Sequence, residues 1–144
     1  MDSKNEYGHE DLSYSLPHRF LYDKALLIPE IIERDNLVEN SRVVGEYLHE
    51  KLLGLKEKYD VIRDVRGRGL LQGIEIEGNN SADKYVLGQE FYETMLKNGL
   101  ITELESRKNL ENVVVVMHPA LITSKENVDE AVEIIDKSLA SCLK

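Results

Sequence analysis

The residues best suited to chemistry lie in VIRDVRGRGLLQGIEIEG, residues 61 to 78, where Arg66 and Arg68 alternate with Gly67 and Gly69 between two apolar stretches. A glycine-rich turn with guanidinium groups can cradle a phosphate. The dinucleotide form of such a cradle needs G-x-G-x-x-G after a strand and at the opening of a helix, so that backbone amides and the helix dipole meet the pyrophosphate. Here the glycines fall at 67, 69 and 73, Gln72 stands where the third should be, and the following residues continue as a strand. There is no G-x-x-x-x-G-K-S/T run either, so neither phosphate-binding motif is met. The turn therefore reads as a structural corner, its glycines permitting a tight turn or bulge and Gly73 permitting close approach of a neighbouring element. Arg66 and Arg68 keep two readings: ion pairing with Asp64 or Glu75, which is favoured, or a small site for a carboxylate or phosphate.

Other chemistry is sparse. His9, His18, His49 and His118 are scattered without ligand-type partners one helical turn away, so no metal site is expected, and no nucleophile constellation points to a catalytic residue. His118, beside Pro119 at the end of an apolar run, is the one histidine in a suggestive place, and a hydrogen-bonded structural role is favoured for it. The single Cys142 has no partner for a disulfide, which fits a reducing compartment, and it reads as a small apolar residue near a helix end. With 18 basic and 27 acidic residues the net charge is −9, which repels phosphate backbones and anionic lipid, so no nucleic-acid partner is expected. No stretch approaches the ~20 apolar residues needed to span a bilayer, and the polar start is unlike a secretory signal, so no membrane partner and a cytoplasmic location are expected.

At 144 residues the chain can bury roughly two thirds of the surface its unfolded form exposes, enough for one core without disulfides. Residues 1–20 are polar and aperiodic and read as a flexible N-terminal arm; residues 21–144 read as one domain. A short helix is expected through about Arg34, with Pro29 either in its first turn or kinking it. Asn36 is expected to cap a second helix with Leu37, Val44, Leu48, Leu52 and Leu55 on one face and Glu46, Glu50, Lys51, Glu57 and Lys58 solvated, ending near Tyr59. Two strands flank the RGRG turn, the second with Ile74 and Ile76 alternating with Glu75 and Glu77. After the GNN break, Asn80 or Ser81 can cap a helix carrying Leu87, Phe91 and Met95, which Asn98-Gly99 closes. A strand over Leu100 to Glu105, a loop at RKNLEN, and a central or doubly covered strand at VVVVM follow. Thr123 opens T-S-K-E, a capping box with Glu126, before a last helix striped by Val128, Val132, Ile135 and Leu139. The order helix, helix, strand, strand, helix, strand, strand, helix predicts an α+β fold: a small, mostly antiparallel sheet of three to four strands with helices packed on one face.

Three stretches carry a family resemblance: IIERDNLVENSRVVGEYLHEKLLGL, then VIRDVRGRGLLQGIEI with the NGL at 98 to 100, and finally VVVVMHPALITSKENVDEAVEIIDKSL. In this order, over roughly residues 30 to 143, they resemble the C-terminal small domain of class III pyridoxal-phosphate-dependent aminotransferases, the group of the ornithine, acetylornithine and 4-aminobutyrate enzymes. H-P-A-L-I-T stands where that family tends to have P-P-L-I-I-T. The resemblance implies a domain that packs beside a large domain holding the cofactor and its Schiff-base lysine. No cofactor is expected in this chain itself; pyridoxal phosphate is implied for a parent enzyme. Several relatives of this type carry an arginine for the substrate carboxylate just before P-P-L, and Val116 stands in that register here.

The function expected is therefore that of a small-domain fragment, transferring amino groups only when joined in cis or in trans to a cofactor-binding large domain, and inactive alone. No residue is expected to be catalytic or cofactor-binding in this chain; Arg68, His118 and Pro119 are the candidates for a substrate rim. The alternative is a non-catalytic, self-standing interaction module, a homodimer that reuses the fold and buries the face once covered by the large domain.

Overall fold

The computed structural model describes residues 18–77, 81–105 and 113–143. They fall into two compact units, one ending at Asn36 and one beginning at Leu37.

The first unit contains α1 (His18–Arg34), with Pro29 inside the helix and not in its first turn. The helix begins earlier than its apolar text, so the last three residues of the arm expected over 1–20 are helical, and the rest of that arm lies outside the described residues. Asn36 adopts a φ of 52°, and its N–H donates to the Glu33 carbonyl at 3.2 Å. This corrects its expected role: an N-cap has extended backbone, whereas Asn36 takes the left-handed turn that stops α1, a conformation asparagine tolerates better than most side chains.

The second unit runs α2 (Leu37–Lys58), β1 (Ile62–Arg68), β2 (Leu71–Ile76), α3 (Ser81–Lys97), β3 (Glu103–Glu105), β4 (Val113–Met117) and α4 (Lys125–Cys142), the expected order. The strand expected over Leu100 to Glu105 is confined to its last three residues. The GNN break, the RKNLEN loop and the side chains proposed to cap α3 lie outside the described residues. Gly99, at φ 92°, ends α3 as expected: its N–H donates to the Leu96 carbonyl at 3.1 Å and that of Leu100 to Met95 at 2.9 Å. At α4 the capping box forms one residue later than expected. Ser124, not Thr123, is the N-cap, and Asn127, not Glu126, reaches back to the Ser124 N–H at 3.1 Å. No helix among the described residues is long and apolar enough to cross a membrane.

The sheet order is β1-β2-β4-β3, with every pair antiparallel. Its register sets Ile74 between Val65 and Val115, and Ile76 between Ile62 and Val113, which gathers these side chains on one face. Ile62, Val65, Ile74, Ile76 and Val115 join Val44, Leu48, Leu52 and Leu55 of α2, Phe91 and Met95 of α3, and Val128, Ile135 and Leu139 of α4 in one core. Each large side chain fully buried there stabilises the fold by about 1.5–3 kcal/mol. Val113 to Met117 form an inner strand, as the run of β-branched residues implies. Cys142 lies partly buried against the core near the end of α4.

The RGRG segment is the hairpin itself. Arg68 pairs with Leu71, so Gly69 and Leu70 form a two-residue turn, with Gly69 at a φ of 55°. The turn abuts α2 so closely that a Cβ on Gly45 would lie 2.1 Å from the Gly69 backbone. Gln72, buried within β2, fastens the same corner: its amide donates to the Gly69 carbonyl at 2.8 Å and its Oε1 lies 2.9 Å from His49 Nδ1. Because the Gln72 amide nitrogen is directed at a carbonyl, Oε1 is the accepting end, and His49 carries its proton on Nδ1.

Candidate functional site

Arg66 follows the favoured reading. Its guanidinium contacts Asp64 at 3.2 Å and Glu75 more closely still, with Arg63 3.4 Å from the other Glu75 oxygen. The hydrogen bond from Arg66 holds the Asp64 carboxyl below its usual range, and Lys56 adds to the effect. Glu75 alternates with Ile74 and Ile76 as expected, yet it is not left open to water. It is 5% exposed, because β2 is an inner strand and two arginines of the neighbouring strand fold over it. Arg66 and Arg68 therefore do not form a two-pronged anion site. Arg68 has no acid partner among the described residues and lines a separate surface depression with Arg42, Glu46, His49 and Glu50. Arg42 there is already neutralised by Glu39 at 2.6 Å and Glu46 at 2.9 Å.

The other two rim candidates come together elsewhere. His118 and Pro119 border a cleft of about 300 Å³ between the end of β4 and the first turns of α4. Leu48, Leu100, Ile101, Val116 and Val128 supply most of its apolar wall. The loop that carries Pro119 into α4 is fixed from α2: the Asn40 amide donates to the carbonyls of Leu121 at 2.7 Å and Thr123 at 3.0 Å. His118 Nε2 lies 3.2 Å from Glu103 across the sheet edge. Ile101, which lines the cleft, is 81% exposed, and Ile122, next in sequence to the lining Thr123, is 74% exposed.

Two polar members of this cleft escape sequence reasoning. Asn127 lines it while serving α4 as a cap, and Thr102 brings a covered hydroxyl with no hydrogen-bond partner among the described residues. Only the capping-box pattern, read one residue along, hints at the first. Nothing in the sequence marks the second, whose isolation depends on what surrounds it.

The described lysine side chains are exposed, Lys56 only in part. Lys51 pairs with Asp129 at 2.9 Å, Lys58 with Asp136 at 2.7 Å, and Lys56 with Asp64 at 3.5 Å. Hydrogen bonds from these ammonium groups to Asp129 and Asp136 push the Lys51 and Lys58 pKa values up. A Schiff-base lysine needs the reverse, a desolvated pocket that lowers its pKa. The described lysine side chains thus do not fit that role. Among the described residues no cluster of histidine, cysteine or carboxylate side chains could hold a metal ion.

The α+β unit has an open apolar cleft at the end of β4. The aminotransferase class-III family model matches residues 24–139. The chain is 38% identical over 122 residues to a taurine–pyruvate aminotransferase of Bilophila wadsworthia, covering 81% of this chain and 26% of that protein. It is 36% identical over 115 residues to an alanine/serine racemase of Pyrococcus horikoshii, covering 79% and 23%. A transaminase from the marine bacterium Virgibacillus has the same fold, with a TM-score of 0.73 at 27% identity, over 82% of this chain and 27% of that one. The chain belongs to the class III aminotransferase family and spans about a quarter of the length of the curated relatives it matches.

Proposed function

We propose that this chain is the C-terminal small-domain portion of a pyridoxal-phosphate-dependent class III aminotransferase, acting in amino transfer only together with a cofactor-binding large domain, in cis or in trans, and inactive alone. The observation that carries this reading is the extent of the match: most of the chain corresponds to about a quarter of its relatives. Pyridoxal phosphate, when bound by the large domain, would carry the amino group. No step is assigned to a lysine of this chain, since the described lysine side chains do not suit the cofactor's Schiff base. The chain's contribution would be a wall: the apolar cleft beside His118 and Pro119 would face the substrate, and closure over it would exclude water. Arg68, in its separate depression, would contact the neighbouring domain or a second subunit. The exposed Ile101 and Ile122 support this reading, because a domain evolved to stand alone tends to cover such surface.

The test is a pyridoxal-phosphate titration of the purified chain followed by absorbance, with light scattering on the same sample. The expected result is no protein-dependent band. A stoichiometric band that borohydride traps on one lysine would overturn the proposal. A tight dimer without the band would favour the self-standing interaction module.

A further inference from the structure

The turn that closes α3 holds the chain's one Asn-Gly pair, Asn98-Gly99. An asparagine followed by glycine can modify itself, because the glycine nitrogen can attack the side-chain carbonyl carbon with no Cβ of its own in the way. Both residues are exposed, so water reaches them, yet the Asn98 amide turns inward and donates to Oγ of Ser138 at 3.0 Å. Ser138 is wholly buried in α4, so this hydrogen bond ties the end of α3 to the interior of its neighbour. The attacking group is held as well. The Gly99 N–H donates to the Leu96 carbonyl at 3.1 Å and the Asn98 N–H to the Thr94 carbonyl at 3.0 Å. Attack requires the Gly99 nitrogen to lose its proton and to come within about 3–3.5 Å of Asn98 Cγ. A nitrogen whose N–H is donating and a carboxamide drawn towards α4 are both withheld from that approach until the last turn of α3 opens. At a φ of 92° Gly99 is needed as the helix stop, so the pair that invites the reaction is the pair the fold requires.

We propose that Asn98 is a site of spontaneous deamidation, held in check by Ser138 and by the cap of α3, and that its reaction releases the end of α3 from α4. The step needs only water. The Gly99 nitrogen bonds to Asn98 Cγ, the Cγ–Nδ2 bond breaks, and ammonia leaves with the proton from the Gly99 nitrogen, which closes a succinimide ring. Water then opens the ring at either carbonyl, giving aspartate or isoaspartate at 98 and a proton to solvent. Both products replace the Nδ2 donor that Ser138 holds with a carboxylate, which sits unfavourably at the negative end of the α3 dipole. In isoaspartate the main chain also runs through Cβ and Cγ and is longer. The Gly99 and Leu100 N–H groups then lose their register with the Leu96 and Met95 carbonyls. The inference goes beyond the aminotransferase reading, because no cofactor or large domain takes part.

The experiment ages the 144-residue chain at mildly alkaline pH and physiological temperature. Digests taken over time are resolved by chromatography and mass spectrometry into asparagine, aspartate and isoaspartate forms of the peptide carrying residue 98. A synthetic peptide of residues 92–104 and the chain in urea supply the unrestrained rate. The folded chain is expected to form isoaspartate at 98 at least about tenfold more slowly than the peptide, because reaction waits on opening of the capped turn. Ser138→Ala is expected to raise the folded-state rate about fivefold, the scale of one hydrogen bond, and to leave the rate in urea unchanged. Ser124→Ala, which weakens α4 at its other end, is expected to leave both rates unchanged, a contrast that general destabilisation would not give. Ion exchange isolates the isoaspartate form, whose amides at Leu96, Gly99 and Leu100 are expected to exchange with deuterium faster than in the parent chain. Equal rates in folded chain and peptide, no isoaspartate at 98 long after the peptide has reacted to completion, or Ser138→Ala no faster than the parent would overturn the proposal. So would an isoaspartate form whose α3 amides exchange as before. Because pyridoxal phosphate is absent throughout, failure here would leave the aminotransferase reading untouched.

Discussion

Replacing Gly45 by alanine isolates the contact on which the hairpin corner depends. By helix propensity alone the change is favourable, since alanine is better than glycine inside a helix by about 1 kcal/mol. The tertiary cost runs the other way. The new Cβ would lie 2.1 Å from the Gly69 carbonyl carbon and 2.3 Å from its oxygen, whereas ordinary contact begins near 3.4 Å. The turn must therefore retreat by about 1.3 Å, the difference between 3.4 and 2.1 Å. Both partners are backbone, so no rotamer change can relieve the clash. Retreat would also disturb the Gln72 amide bond to Gly69 and the approach of the Leu70 N–H to Ser41 Oγ at 3.4 Å. Overpacking of this kind costs about 1–3 kcal/mol and upward, and the loss of the corner's hydrogen bonds adds to it, so Gly45→Ala is expected to destabilise by a net of about 2–3 kcal/mol. Gly54 is the control, because it lies in the same helix and a Cβ there meets nothing within 4 Å. Gly54→Ala should stabilise by about 0.5–1 kcal/mol. The two variants should differ by about 3 kcal/mol, or about 10 °C in Tm for a domain of this size. Urea melts would read the difference as a shift in midpoint at constant slope. If Gly45→Ala melts no earlier than Gly54→Ala, the close approach of α2 to the hairpin is not what fixes this corner.

Ser124→Ala should cost about 1 kcal/mol, and Thr123→Ala distinctly less, in denaturant melts, because the cap hydrogen bonds belong to Ser124. Acid should weaken the fold in a traceable way. Lys58 at 2.7 Å and the Tyr59 hydroxyl at 2.7 Å hold the Asp136 carboxyl below its usual range. Its contribution is therefore fully present above about pH 4, the ordinary unfolded value, and is lost as pH falls through the lower folded value. Asp136→Asn should lower stability near pH 7 by at most about 1 kcal/mol, since solvent screens the half-exposed pair, and should converge with the parent chain in melts below about pH 3.

Much of the fold was legible because its signals are local. The apolar steps of α2 and α4, the β-branched run of β4 and the Asn98-Gly99 stop each depend on a few neighbouring residues and on one period. Capping was less legible. Both Asn36 and the T-S-K-E run offer side chains able to cap, and which one does so depends on where the last helical turn stops, a boundary decided by packing. For the rim candidates the sequence offered residue types and neighbours, not their placement in space. His118 and Pro119 do meet at one cleft, but Arg68 lines a different depression, since the hairpin that bears it closes against α2 and not against α4.

The sequence by itself determined the order of elements, the residues of the core and the family, because these rest on periodicity and on motifs read along one strand of text. Only the tertiary structure decided that Glu75 is buried beneath Arg66, that Gly45 exists for the sake of Gly69, and that Asn127 and Thr102 share one cleft. Those facts join residues far apart in the chain. Strand order, helix approach and the covering of individual polar atoms are properties of distances in space, and no local pattern encodes them.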